Sequence, residues 1–219
     1  AVRHFDCHTG IVVTASHNPK EYNGYKVYWH DGSQVIPPHD KGIIAEVDKV
    51  TQDEQVLKMD YQEGVAKGLI KVMGKEMDKA YLEAVLKQRI DSESVEKSDL
   101  KIVYTPLHGC GGTLAIDALE KWGFKKIFPE EAQMKSDGNF PTAASPNPEE
   151  GAALQRAIEL AKREEADLVL ATDPDADRLG IAVKHKGEYA LITGNQLCAL
   201  LADYILGRRK DLGTLPEKP

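Results

Sequence analysis

Between residues 101 and 192 the chain alternates short apolar or β-branched runs with amphipathic stretches, and this alternation constrains the fold more than any other feature. Residues 101–104 form the first such run, and the glycine-rich turn His108-Gly109-Cys110-Gly111-Gly112 follows it. Leu114, Ala118, Leu119 and Trp122 then recur at helical spacing until Gly123 ends the pattern. Residues 126–128, 149–165 and 167–172 read as strand, helix and strand, with a proline-rich loop over residues 129–148. Residues 179–183 and 189–192 read as a strand pair around Lys186-Gly187, and Leu197, Leu200, Leu201, Tyr204 and Ile205 stripe a final helix. Strands that alternate with helices need crossover connections, which set the strands largely parallel and lay the helices on the sheet faces. The predicted class is α/β.

The first ninety residues follow a looser version of the same plan. Residues 11–14 are a short strand that stops at Ser16-His17-Asn18-Pro19, and residues 25–29 are a second strand turned by Asp31-Gly32. Pro37-Pro38 precedes a helical pattern through Ile43, Ile44 and Val47, and Met77, Tyr81, Leu82, Val85 and Leu86 mark a longer helix. Residues 91–99 are polar and have no periodic apolar face, so the domain junction is placed there. The expected domains are residues 1–90 and 91–207, with 208–219 as a linker.

Charge and cysteine content narrow the partners. Twenty-eight Lys and Arg against 35 Asp and Glu give a net charge of -7, and the basic clusters, such as Arg208, Arg209 and Lys210, are short. Nucleic acid is therefore not an expected partner. Cys7, Cys110 and Cys198 are widely spaced with no CxxC pair, which fits a reducing cytoplasm and excludes a zinc site. Cys110 and Cys198 are expected to be small core residues. The apolar stretch over residues 197–206 is broken by Asp203 and falls short of a bilayer span.

Two segments carry groups suited to chemistry. Thr14-Ala15-Ser16-His17-Asn18-Pro19 places a hydroxyl at the carboxyl end of a strand, where α/β sheets present their ligand loops, and Lys26 on the next strand can return to the same mouth. A plain polar turn is the alternative. Asp173-Pro174-Asp175-Ala176-Asp177-Arg178 follows the apolar strand at 167–172. Three alternating carboxylates repel one another unless a cation sits between them, and Mg2+ would take their oxygens and leave positions for a phosphate. Arg178 adds a phosphate-matching fork, whereas a solvated acidic turn is the alternative. The calcium-loop reading fails, because its sixth and twelfth positions are Arg178 and Lys184 rather than Gly and Glu. A Mg-dependent aspartyl-phosphate phosphatase with Asp173 as nucleophile is a rival, disfavoured by Asp177, where Thr or Val is wanted. The glycine-rich turn opening a helix at His108 can hold an anion, but it lacks a P-loop Lys, and close packing is its expected role.

Taken together, the Thr14–Pro19 segment, Asn23-Gly24-Tyr25-Lys26 and the Asp173–Arg178 segment resemble the α-D-phosphohexomutase superfamily. Tyr104-Thr105-Pro106-Leu107-His108-Gly109 and Leu191-Ile192-Thr193-Gly194-Asn195-Gln196 look most like its phosphoglucomutase/phosphopentomutase branch, so the likeness covers essentially the whole chain. The resemblance implies two α/β/α units, the first an incomplete domain 1 and the second domain 2, with residues 208–219 leading toward an absent domain 3. It implies that Ser16 is a phosphoserine, Lys26 the general acid/base, and Asp173, Asp175 and Asp177, with the serine phosphate, the ligands of one Mg2+. Arg178 and Asp177 would face the phosphoryl group or substrate, and His17 would support them electrostatically. The implied reaction interconverts a sugar 1-phosphate with a 6- or 5-phosphate through a sugar bisphosphate that also acts as activator. Domains 3 and 4 would be needed for it, so this chain alone is expected to be inactive. A non-enzymatic, metal-binding interaction module stands as the other alternative. If the resemblance holds, the Ser16 and Asp173 loops should meet.

Overall fold

The computed structural model describes residues 1–217, so residues 218 and 219 of the expected linker lie outside the described residues. By contacts the chain forms two units, one of Ala1–Val13 with Tyr25–Tyr81 and the other of Thr14–Gly24 with Leu82–Pro219. The segment bearing Ser16 therefore belongs with the second unit.

In the second unit a five-stranded sheet has the order β4-β3-β5-β6-β7. Its strands are β3 (Lys101–Thr105), β4 (Lys126–Pro129), β5 (Leu168–Thr172), β6 (Leu179–His185) and β7 (Glu188–Ile192). β3 pairs in parallel with β4 and β5, because helices α5 (Ala115–Trp122), the short α6 (Glu131–Met134) and α7 (Gly151–Glu164) lie in the connections between these strands. β5, β6 and β7 pair antiparallel, because their connections are short. Lys186 (φ 50°) and Gly187 (φ 86°) form a left-handed hairpin turn whose twist matches its strands. The sheet is mixed, in keeping with the α/β expectation.

The core explains why α7 sits where it does. Val103, Val169 and Ala182 present one sheet face to Ala157 and Ala161 of α7, with Ala166 beyond, and all are fully buried. Alanines let helix and sheet approach closely, and Tyr189 Oη donates to the carbonyls of Ala161, in the last turn of α7, and of Ala166 just beyond it.

One helix, and the end of another, occupy places where the sequence shows no apolar periodicity. Asp91 caps α4 (Ser92–Lys97), accepting from the Ser94 amide at 3.1 Å, so the polar junction is partly helical. α8 (Gly194–Asp211) is started by a Thr193–Gln196 capping box and runs past residue 208, where a linker was expected. Arg208, Arg209 and Lys210 in its last turn complement the helix dipole, and Arg208 pairs with Asp91 at 3.4 Å. None of the α8 residues is buried. Cys198 on that helix and Cys110 are both exposed, against the expectation that they fill the core. Apolar character alone does not select the inward face of a helix that buries none.

In the first unit β1 (Thr9–Thr14) pairs with β2 (Gly24–Trp29). Gly32, at φ 84°, turns the chain so that Gln34 bridges back to Tyr28. Helices α1 (His39–Val47), α2 (Tyr61–Ala66) and α3 (Lys75–Leu86) follow, with α3 continuing into the second unit.

Candidate functional site

The acidic loop is built around one carboxylate. Asp173 follows β5 directly and is fully buried. Its Oδ1 accepts the amides of Asp177 (3.1 Å) and Arg178 (3.0 Å), while its carbonyl accepts that of Ala176, which is left-handed at φ 58°. One oxygen of Asp173 thus folds the loop and leaves Oδ2 for other work. Asp173, Asp175 and Asp177 bring one oxygen each within 4.8 Å of the others, grading from buried through half-buried to exposed.

That convergence has an electrostatic cost. Burial, and then the neighbouring Asp175, push the Asp173 carboxyl above its ordinary value, against the pull of the Arg178 amide and the Ser16 hydroxyl. An all-oxygen set of crowded carboxylates is the donor chemistry of a hard divalent cation, and these residues fit Mg2+.

The second loop meets the first. Ser16 follows β1, its amide donates to Thr14 Oγ1 at 2.7 Å, and its φ of 53° is left-handed. Such a conformation costs about 1–3 kcal/mol and persists where surroundings impose it. It directs Ser16 Oγ to donate to Asp173 Oδ2 at 3.0 Å, with His17 Nδ1 3.4 Å from the same oxygen. Residues 157 apart in sequence are brought to hydrogen-bonding distance. Arg178 is exposed beside them, and Lys26 is half-buried on β2 of the first unit.

Sequence reasoning passed over the groups that hold the acidic loop. The Cys110 amide donates to the Pro174 carbonyl at 2.9 Å, and a Cβ on Gly109 would lie 2.4 Å from Pro174 Cα. A Cβ on Gly111 would meet Tyr104 Oη at 2.4 Å and Thr172 Oγ1 at 2.6 Å, two groups hydrogen-bonded to each other at 2.9 Å. Burial pushes the Tyr104 hydroxyl up to about 12, so it stays a neutral partner. The glycine-rich turn is a closely packed support for the acidic loop, and its spacing of small residues was the available sign.

Comparison with known proteins identifies the family to which these two loops belong. The chain matches the family description "Phosphoglucomutase/phosphomannomutase, alpha/beta/alpha domain II" over residues 79–187 and the corresponding domain I over residues 1–54. It is 38% identical to a probable phosphoribomutase of Schizosaccharomyces pombe, covering 97% of this chain and 36% of that protein. A phosphoglucomutase of Staphylococcus saprophyticus is 36% identical, covering 92% of this chain and 36% of that protein. The crystal structure of a putative phosphomannomutase from Thermus thermophilus shares the fold with a TM-score of 0.75 at 23% identity, over 94% of this chain and 43% of that one. The chain thus spans about 36% of the length of these curated relatives. With domain I and domain II both matched, in order and across most of its residues, the chain belongs to the phosphoglucomutase/phosphomannomutase family of the α-D-phosphohexomutase superfamily.

Proposed function

We propose that this chain supplies the phosphoserine loop and the metal loop of a phosphosugar mutase, an isomerase that moves a phosphoryl group between the 1-position and the 6- or 5-position of a sugar. The contact of Ser16 Oγ with Asp173 Oδ2 at 3.0 Å carries this reading, because it sets a nucleophilic hydroxyl against an acidic cluster suited to hold a cation that would neutralise a phosphate. Relatives named phosphoglucomutase and phosphoribomutase support the substrate class.

In the proposed reaction Ser16 carries the phosphoryl group. The P–Oγ bond breaks as a sugar hydroxyl oxygen bonds to phosphorus, and the hydroxyl's proton passes to Lys26 Nζ. The bisphosphate reorients, its other phosphoryl group returns to Ser16 Oγ, and Lys26 gives the proton back to the oxygen released. Asp173, Asp175 and Asp177 would hold Mg2+, which when bound offsets the charge of the phosphoryl oxygens. Arg178 offers a guanidinium to the same oxygens, and His17 stands beside the hydroxyl. The proposed division into residues 1–90 and 91–207 leaves the distal phosphate and the choice of sugar to domains 3 and 4 of a longer protein. Slow phosphorylation without turnover is the behaviour expected of these residues alone.

Asp173 is fully buried with both oxygens engaged, which speaks against an aspartyl-phosphate phosphatase. Radiolabelled glucose 1,6-bisphosphate with Mg2+ separates the readings. Label is expected on Ser16 and absent from Ser16→Ala. Label on Asp173 would establish the phosphatase, and no label anywhere would favour a metal-binding module.

A further inference from the structure

We infer that His108 is a positioning residue for the acidic loop, acting through Gly109 and Cys110; this rests on the mutase reading only in assigning that loop a cation. Leu107 (φ 48°) and His108 (φ 62°) are consecutive left-handed residues without being glycine, so something must impose the turn they form. The His108 ring is almost wholly buried, and its hydrogen bonds have one consistent direction. The Lys135 carbonyl, 3.2 Å from Nδ1, can only accept, so Nδ1 donates to it, and in the neutral ring Nε2 is then the acceptor. Thr142 Oγ1, 2.8 Å from Nε2, is the donor, and it in turn accepts from Gln133 Nε2 at 2.9 Å. Gln133 Oε1 accepts from Thr105 Oγ1 at 2.6 Å, and Thr105 Oγ1 accepts the Leu107 amide at 3.1 Å.

The relay therefore begins and ends in the same turn. It passes through the fully buried Thr105 and Gln133, and the His108 amide adds a bond to the Gln133 carbonyl at 3.0 Å. What the relay fixes is the next dipeptide. Gly109 lies against Pro174 with no room for a Cβ, and the Cys110 amide holds the Pro174 carbonyl. Pro174 stands between Asp173 and Asp175, so rotation of the turn would move two of the three carboxylates. His108 itself touches none of them in this chain of contacts, so its effect travels through backbone.

Two readouts test this. His108→Asn keeps a residue tolerant of positive φ but is too short to span Lys135 and Thr142. His108→Gln retains one donor and one acceptor at the end of a longer side chain. Mn2+ titrated into the chain and followed by electron paramagnetic resonance should bind about tenfold more weakly in His108→Asn and within about twofold of the parent in His108→Gln. Tyr189→Phe, which deletes a hydrogen bond elsewhere in the unit, should lower stability and leave Mn2+ affinity unchanged. Without metal, the Cys110, Asp177 and Arg178 amides should exchange faster in His108→Asn and not in Tyr189→Phe. Unchanged exchange in His108→Asn, or an equal loss of affinity in Tyr189→Phe, overturns the inference. A parent chain that binds no Mn2+ defeats the metal reading, and amide exchange still decides the role of His108. If His108→Asn does not fold, Thr142→Val at the exposed end of the relay takes its place, with accelerated exchange at the same amides expected.

Discussion

The two units treat their apolar residues differently. In the second, Ile102, Val103, Val169, Ala171 and Ala182 on the sheet and Leu154, Ala157 and Ala161 on α7 have no exposure at all. In the first, Val35 is the one buried hydrophobic residue among the described residues, while Ile11, Val13, Leu69 and Val72 are each more than 60% exposed. Five strands with a helix against one face enclose a core, whereas a pair of strands has no second layer of its own. The proposed chemistry follows this contrast, since the Ser16 loop and the acidic loop both belong to the unit with the closed core. Precise placement of a hydroxyl against a carboxylate needs a support that does not yield.

Core truncation should break the comparison most strongly. Leu154→Ala, at a fully buried position, is expected to cost about 2–5 kcal/mol in chemical denaturation. Leu57→Ala in the first unit, where the residue is 98% exposed, should stay within about 0.5 kcal/mol. Equal costs would mean that burial does not distinguish the units.

Metal should sharpen the contrast. Mg2+ at a hundred times its dissociation constant is expected to stabilise the second unit by about 2.7 kcal/mol, read as slower exchange of β3 and β5 amides. Exchange in β1 and β2 should not respond, and Asp175→Asn should erase the effect. Protection spread evenly over both units would place the cation elsewhere.

Acid gives the smallest effect. The Ser94 amide and hydroxyl, and then Arg208, hold the Asp91 carboxyl below the ordinary carboxylate value. A carboxyl depressed on folding contributes stability above its unfolded value and loses it as pH falls through the folded one. The partners that hold it down are local ones at a helix start, so the loss is slight, and it should appear as fraying of α4 on acid titration while the α7 amides stay protected. Asp91→Asn, which retains the cap, should remove the pH dependence without removing the helix.

The strands of the second unit were legible in the sequence to within one residue, except where β6 runs two residues further, because each is an apolar run closed by turn formers. α7 and α5 were legible from their apolar faces. The antiparallel half of the sheet was anticipated only as a strand pair, and its joining to β5 depends on a short loop rather than on any residue pattern. α4 and the end of α8 were not legible, since a cap and a dipole-matched last turn maintain them with few apolar contacts. At the site, side chains announce themselves by type, so Ser16 and the three aspartates stood out. The Cys110 amide, the Pro174 carbonyl and the space left by Gly109 are backbone features with no letter of their own. His108 was noticed as part of a turn, and its partners Gln133 and Thr142 lie too far along the chain for spacing to connect them.

The division of Asp173 into two oxygens has a consequence for the life of the site. Oδ2 is reached by a hydroxyl hydrogen, and a serine esterified at Oγ has no hydrogen to offer. Phosphorylation would therefore turn an attraction between Ser16 and Asp173 into a confrontation of acceptors, while Oδ1 and the two amides upon it keep the loop in shape. Only a positive charge between the two can reconcile them. The charged and discharged forms of Ser16 should then differ in their appetite for a cation, and by thermodynamic reciprocity the cation should favour the charged form by the same factor. One lost proton would make ion and phosphate each a condition for retaining the other.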